Sequence, residues 1–483
     1  MKTRKITLNS IAGQLSAPDA RFYAFVVFFV IVFFTGGGSR DDIQSLLILR
    51  PIAVLFCAYA LTVKAPEQWK GRQFPLYIAG ALLALMVLQL IPLPPSVWTG
   101  LPGRQIFADI ANIAGIEQPW RPLTLSPSKT LNSLFSLAVP IAAIMLYLNL
   151  DREYRKRAIS VIILLAAISV LLSAMQLAGS PRGPLYLYNI TNDGAAVGLF
   201  ANRNHQSVFL AVTIVMLAWY AALCTPASRF ATLKIYGSIS GIFVVVPLIF
   251  VAGSRAGLIL MAPALIAAFL LIYFGRYSTE TLPIAKRSKS KQKKRLGLRR
   301  LSVIGGIIAL VALVSLSIYS SRSIAFGRLF GDNELGELRV ELFSILIRIW
   351  GDYFPWGAGF GSFEHVYRIY EPQEMLSPYY LNQAHNDWLQ FPIEGGVAAI
   401  LIAAVALVWL LFRLRLLQKK WNSSRHNKYT AIMAVLVMLF FLAGSVVDYP
   451  LRVPSLIAVF GVMSCCFNDA LISVQRKVIK STK

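Results

Sequence analysis

DREYRKRAISVIILLAAISVLLSAMQLAG, residues 151–179, decides the fold class. From 158 to 179 no side chain is charged, a length that matches the roughly 20 residues a helix rising about 1.5 Å per residue needs to cross the hydrocarbon. The run is continuous rather than alternating, so it reads as a helix and not as a barrel strand. In front of it stand Arg152, Arg155, Lys156 and Arg157. Basic residues at one end of an apolar run mark the cytoplasmic side.

The same unit recurs along the chain. Apolar runs lie near 22–36, 44–63, 74–93, 131–150, 158–179, 206–223, 235–252, 256–274, 301–319, 394–413, 429–447 and 454–472. Hydrophobic residues make up 57% of the 483 and charged residues 14%, against about 45–50% and about 25% in soluble domains. The expectation is an all-α polytopic membrane protein of about 12 transmembrane helices. With the N-terminus inside, nearly every basic cluster falls on one face: MKTRK, KAPEQWKGR, DREYRKR, the 224–234 loop, 275–300, FRLRLLQKKWNSSRHNK and the VQRKVIKSTK tail. Both termini are then cytoplasmic. The chain divides into a bundle over 1–319, with an outer loop at 94–130, a large outer loop over 320–393, and a closing bundle with a basic tail over 394–483.

The formal net charge of +25 fits this membrane reading. Residues 275–300 hold ten Lys or Arg against one acid, Glu280, with no aromatic residue beyond Tyr277. That pattern serves topology and contact with anionic membrane lipids, not nucleic acid. The four cysteines, Cys57, Cys224, Cys465 and Cys466, lie in or beside spans, so no disulfide framework or Cys-based metal site is expected. The first apolar run lacks a small-residue cleavage site after it and reads as a retained helix. Loop 94–130 is Pro-rich, with one amphipathic helix expected near 104–115 and a covering role on the membrane face.

Chemistry is expected on the outer side. The 320–393 loop carries five Arg against nine acids, and the motifs PWGAGFGSFEHVY (355–367) and NQAHNDWLQFPIEGG (382–396). Arg203 in FANRNHQSVF, Arg255 in VAGSRAG and His385 in QAHNDW all fall at this membrane surface. An Arg at a span end also snorkels to headgroup phosphates, and a loop His also serves as a structural hydrogen-bonding group. Outer arginines run against the positive-inside bias, however, and Gly253, Ser254, Ala256 and Gly257 around Arg255 permit close helix approach. Together the three residues favour a site. Arg339 is a candidate third phosphate contact. Arg50, inside the second run, is costly unless it faces the bundle interior and is a further substrate-contact candidate. Glu394 caps the following span or orients His385. The glycines of GAGFG form a turn or let backbone approach a sugar or phosphate. No D-x-D pair offers a divalent-metal site, and no cofactor is expected.

The order of N-R-N-H (202–205), S-R-x-G (254–257), P-x-G-x-G-x-x-x-F (355–363) and H-N-x-x-L-x-x-x-x-E-x-G (385–396) resembles the O-antigen ligase and polymerase family of bacterial envelope glycan enzymes. The later VDYPLRVP (447–454) is similar to members tied to exopolysaccharide production. The resemblance implies a fold like that of lipid-carrier glycosyltransferases, with a large helical periplasmic loop, in the bacterial inner membrane. It implies glycan transfer from an undecaprenyl diphosphate-linked donor to a glycan, lipid or protein acceptor at the periplasmic face, without a metal. Arg203 and Arg255 would hold the diphosphate and His385 would act on the acceptor hydroxyl; apart from the resemblance, Arg339, Arg50, Asn386 and Glu394 are expected to contact substrate. Guanidinium groups bind phosphate bidentately, and a neutral imidazole accepts a hydroxyl proton. The alternatives are a flippase for lipid-linked glycan, which would place ionisable residues deep along a pathway, and a non-catalytic envelope scaffold.

Overall fold

The computed structural model describes residues 14–224, 230–277, 333–376, 380–419 and 424–481. Nearly all of the regular structure is helical. In chain order the main helices are α1 (Pro18–Thr35), α2 (Leu46–Thr62), α3 (Phe74–Gln89), α4 (Gln105–Ile113), α5 (Pro127–Ser136), α6 (Ala138–Asn149), α7 (Arg152–Ala178) and α8 (Arg203–Leu223). They continue as α9 (Ala231–Ala252), α10 (Arg255–Tyr277), α11 (Asn333–Tyr353), α12 (Phe363–Tyr370), α13 (Asp387–Lys419), α14 (Arg425–Gly444) and α15 (Pro454–Ser481).

Among the described residues, nine helical stretches are long and apolar enough to cross a membrane: α1, the continuous α5–α6, α7, α8, α9, α10, α13, α14 and α15. The apolar helices α2 and α3 are shorter and coincide with two further expected spans. The expected span at 301–319 lies outside the described residues, as do residues 320–332 of the large outer loop and most of the basic 275–300 segment. The chain is therefore an all-α polytopic membrane protein.

The chain forms two compact units. The first comprises residues 1–162, 333–421 and 441–483, the second residues 163–332 and 422–440. In the first unit α6 is the central helix, buried from Ala142 through Asn149. Phe25, Phe28, Phe29 and Phe33 of α1 are also buried in this unit. A polar group at such depth needs partners. Asn149 has three: its Oδ1 accepts from Trp69 Nε1 at 2.8 Å and from the Ala65 N–H at 3.1 Å, and its Nδ2 donates to the Ala60 carbonyl at 2.7 Å. Nearby, Arg72 and Arg155 both engage Asp469 Oδ1, at 2.5 and 2.7 Å.

The expected amphipathic helix in the 94–130 loop is α4. The loop also contains a two-residue antiparallel pair, β1 (Pro92–Leu93) with β2 (Arg121–Pro122), in the register Pro92↔Pro122, which hydropathy alone does not announce. Buried Arg104 fastens this loop to the larger one. It donates to the carbonyls of Pro102, Leu123 and Gly357 and lies over the Tyr353 ring at 5.2 Å. Burial pushes its guanidinium down to about 10.

The helix carrying the outer motif differs from expectation. It starts at Asp387 rather than near Glu394, and Gly396 interrupts it with φ 60° and ψ −154°. The GAGFG loop fills the break. Ala358 and Gly359 N–H groups donate to the Ile393 and Glu394 carbonyls at 2.8 and 2.9 Å, and the Val397 N–H donates to Pro355 O at 2.8 Å. These bonds satisfy helix groups freed by the kink. Gly359 (φ +100°) has no room for a Cβ against Thr124, nor Gly396 against the Pro355 carbonyl. The glycines of this motif thus let the chain approach itself.

Candidate functional site

In the first unit, a cluster of polar side chains surrounds the N-terminus of α13. Asn386 is the N-cap, its Oδ1 accepting from the Leu389 N–H at 3.2 Å. This side chain, expected on substrate, is used to start the helix. His385 immediately precedes it with φ +49°, a conformation that costs a non-glycine residue free energy and persists only where its surroundings enforce it.

The turn after α14 supplies the surroundings. Asp448, fully buried, places Oδ1 3.3 Å from His385 Nδ1, while the imidazole remains 42% exposed. The Asp448 oxygen also accepts from the Tyr449 N–H at 3.0 Å, and the Tyr449 ring lies 4.9 Å from the imidazole, centroid to centroid. Burial, reinforced by the Asp448 charge, raises the Tyr449 phenol well above its usual range, so the ring faces His385 as a neutral group.

Arg452, in the 3-10 turn Pro450–Arg452, bridges two carboxylates of α13. Its Nε lies 2.9 Å from Asp387 Oδ1 and its terminal nitrogen 3.0 Å from Glu394 Oε2. Burial works against the Arg452 charge, but Glu394 and Asp387 outweigh it and hold its pKa above the ordinary guanidinium value. Asp387 is also tied to Ser445, whose Oγ donates to Oδ2 at 3.0 Å and whose carbonyl accepts from the Asp387 N–H at 2.9 Å. Glu394 departs from the expected substrate contact. It is 0% exposed and its carboxylate is taken up by Arg452 and Gln390, which leaves it a positioning role. It does not cap a span, because the helix already begins at Asp387.

The second unit holds Arg203 and Arg255. Asn202 caps α8, its Oδ1 accepting from the Asn204 N–H at 2.8 Å, and Asn192 Oδ1 accepts from the Arg203 N–H at 2.9 Å. Ser254 Oγ accepts from the Gly257 N–H at 3.1 Å at the start of α10. A Cβ on Gly257 would run into Ser207, and one on Gly275 would come within 2.8 Å of the Ala222 Cβ. Contacts that advance together along both helices make α8 and α10 parallel neighbours. Arg203 precedes Ser207 by one turn and Arg255 precedes Gly257 by two residues, so the two arginines stand at the same end of a helix pair. Both are half-buried, and both helix N-termini add positive potential there. A buried network supports this end: Gln206 bonds Ser169 and Ser173 at 2.8 and 2.9 Å, and Gln176 accepts from the Val197 and Gly198 N–H groups.

The structure thus brings Arg203 and Arg255 together in one unit, and His385, Asn386 and Glu394 together in the other. Arg50 sits near the start of α2, where its Nε is buried with no hydrogen-bond partner among the described residues. Arg339 lies in the first half of α11, and its side chain is outside the described residues. Sequence reasoning missed Asp448, Arg452 and Gln390 as site residues. The first two belong to the VDYPLRVP stretch, noticed as a motif but given no side-chain role. Among the described residues no cluster of His, Cys, Asp or Glu has the make-up to hold a metal ion.

The family model described as O-antigen ligase matches residues 240–404. That stretch includes Arg255, Arg339, His385, Asn386 and Glu394, and ends before Asp448 and Arg452. The likeness to the O-antigen ligase and polymerase family is shown over those residues. No curated protein matches the chain.

Proposed function

We propose, for a membrane chain that carries an O-antigen ligase region over residues 240–404, that it transfers or polymerises lipid-linked glycan during envelope polysaccharide assembly. The donor is an undecaprenyl diphosphate-linked oligosaccharide presented at the periplasmic face of the inner membrane. The observation that carries this reading is the pairing of His385 Nδ1 with the buried Asp448 carboxylate. With Nδ1 protonated and donating to Asp448, Nε2 is left as the proton acceptor of the ring.

In the proposed step, Nε2 takes the proton of the acceptor hydroxyl as its oxygen attacks the anomeric carbon of the donor sugar. The bond from that carbon to the diphosphate oxygen breaks, and the diphosphate leaves with the electron pair. Attack from the face opposite the leaving group inverts the anomeric centre and needs no covalent enzyme intermediate. Arg203 and Arg255, at the paired N-termini of α8 and α10, bind the diphosphate and stabilise the charge that grows on it. Arg50 and Arg339 are further phosphate contacts. The VDYPLR turn inclines the reading towards an exopolysaccharide-type polymerase or transferase.

The test is the surface glycan of a deletion strain complemented with wild type or with His385→Ala, with membrane insertion measured in parallel. Wild type restores long glycan, whereas the variant leaves single repeats, marking a polymerase, or unmodified acceptor, marking a ligase. Full restoration by His385→Ala sinks the mechanism.

A further inference from the structure

We propose that Gln390 is a positioning residue for His385, holding the backbone before the imidazole so that the ring stays on Asp448 with Nε2 as the proton acceptor. The inference rests on the reading of His385 as the base. Gln390 lies on α13 one helical turn beyond Asn386 and is 1% exposed, so it does not touch substrate. Its three side-chain hydrogen bonds go to the segment that carries His385 or to the ion cluster beneath it. Its Oε1 accepts from the Ala384 N–H at 2.8 Å, and its Nε2 donates to Gln383 Oε1 at 2.5 Å and to Glu394 Oε1 at 3.0 Å.

The first two of these bonds grip the two residues before His385. The residue two after it is gripped separately, by Arg452 and Ser445 on the Asp387 side chain and by the Ser445 carbonyl on its N–H. Glu394 joins the two grips, since its other oxygen is bonded to the same Arg452. Between them stands His385 at φ +49°, in the left-handed region that a side chain bearing Cβ leaves unless the flanking chain is fixed. Without Gln390 the Ala384 N–H loses its acceptor, and the backbone before His385 can relax out of that conformation. The imidazole then moves relative to Asp448. A displacement of about 1 Å in a reacting group is worth up to about a hundredfold in rate.

The test uses membranes of a deletion strain expressing wild type, His385→Ala or Gln390→Met, titrated with the lipid-linked glycan extracted from that strain. Methionine fills the glutamine volume without its hydrogen bonds. Turnover at saturating donor falls roughly tenfold or more in Gln390→Met, while the half-saturating donor concentration stays within about twofold and the melting temperature holds. Wild-type turnover overturns the inference, as does a loss that follows the folded fraction or the donor affinity. Wild-type turnover in His385→Ala is a different result: it removes the base itself, and with it the proposed mechanism. If Gln390→Met is absent from the membrane, Gln383→Met tests the same grip through one bond. A smaller turnover loss at unchanged donor affinity then supports the inference, and wild-type turnover overturns it.

Discussion

An imidazole that accepts a proton at Nε2 works best when Nδ1–H is already committed, and at His385 the buried Asp448 carboxylate lies 3.3 Å from Nδ1, placed to take that bond. Asparagine at that position keeps the shape and removes the charge. We therefore expect Asp448→Asn to insert and fold normally and to lose roughly 10²-fold or more of the transfer rate, measured at matched protein level, because general-base catalysis contributes about 10²–10⁴-fold. Arg452 acts differently. Removing it leaves Asp387 and Glu394 buried together without a counter-charge, and breaking a buried pair from one side costs about 3–5 kcal/mol. Arg452→Met should lower the melting temperature in detergent markedly, and Arg452→Met combined with Glu394→Gln should recover much of the loss. A result in which the double variant is less stable than the single would refute the charge argument. His385, Arg203 and Arg255 stand out in the sequence as candidates because a polar residue at the mouth of an apolar run is conspicuous by itself. Asp448 and Arg452 do not, because their roles exist only after the turn at 445–452 has folded back onto the start of α13, and Gln390 does not, because its bonds to Gln383, Ala384 and Glu394 exist only once the α13 start has folded. The fold of this region also changed the reading of Glu394 and Asn386 from substrate contacts to a buried counter-ion and a helix cap.

At the scale of elements, helix positions followed from hydropathy and helix ends did not. A hydropathy run begins where apolar residues begin, so it placed the start of the outer-motif span near 394, whereas Asn386 supplies a cap that adds polar turns to α13. The parallel packing of α8 and α10 was foreshadowed by the small residues around Arg255, but which helix they meet was not. That packing carries an expectation. Gly257→Val forces the helices apart beside the two arginines, and the half-saturating donor concentration should rise by roughly tenfold or more, since a diphosphate needs both guanidinium groups at once. Gly275→Val disturbs the same pair beside Ala222, at the other end, and should cost stability without moving donor affinity. Equal effects of the two substitutions on donor affinity would mean that the arginine end is not the phosphate site. Gly396→Ala meets the Pro355 carbonyl at a positive φ and should unseat the GAGFG loop from α13, seen as protease sensitivity near 355–361.

For the molecule as a whole, the mechanism requires that the N-terminal ends of α8, α10 and α13 face the compartment holding the donor, and the distribution of charge supplies the reason. The segment from 413 to 428 at the end of α13 contains Arg413, Arg415, Lys419, Lys420, Arg425 and Lys428 without an acid. The 94–126 loop has Arg104 and Arg121 against Asp109 and Glu117. Short basic loops stay cytoplasmic, so the first segment is expected inside and the second outside. Two exposed positions report this directly: Ile116, 62% exposed beyond α4, and Ser424, just before α14. With Cys57, Cys224, Cys465 and Cys466 replaced, a membrane-impermeant maleimide should label Ile116→Cys in intact spheroplasts. Ser424→Cys should be labelled only after permeabilisation. The reverse pattern would contradict the orientation that the proposed transfer at the outer face requires, and that transfer would be untenable. The expected pattern would agree with the proposed transfer, which requires the proton acceptor and the phosphate-binding helix ends to face one and the same compartment.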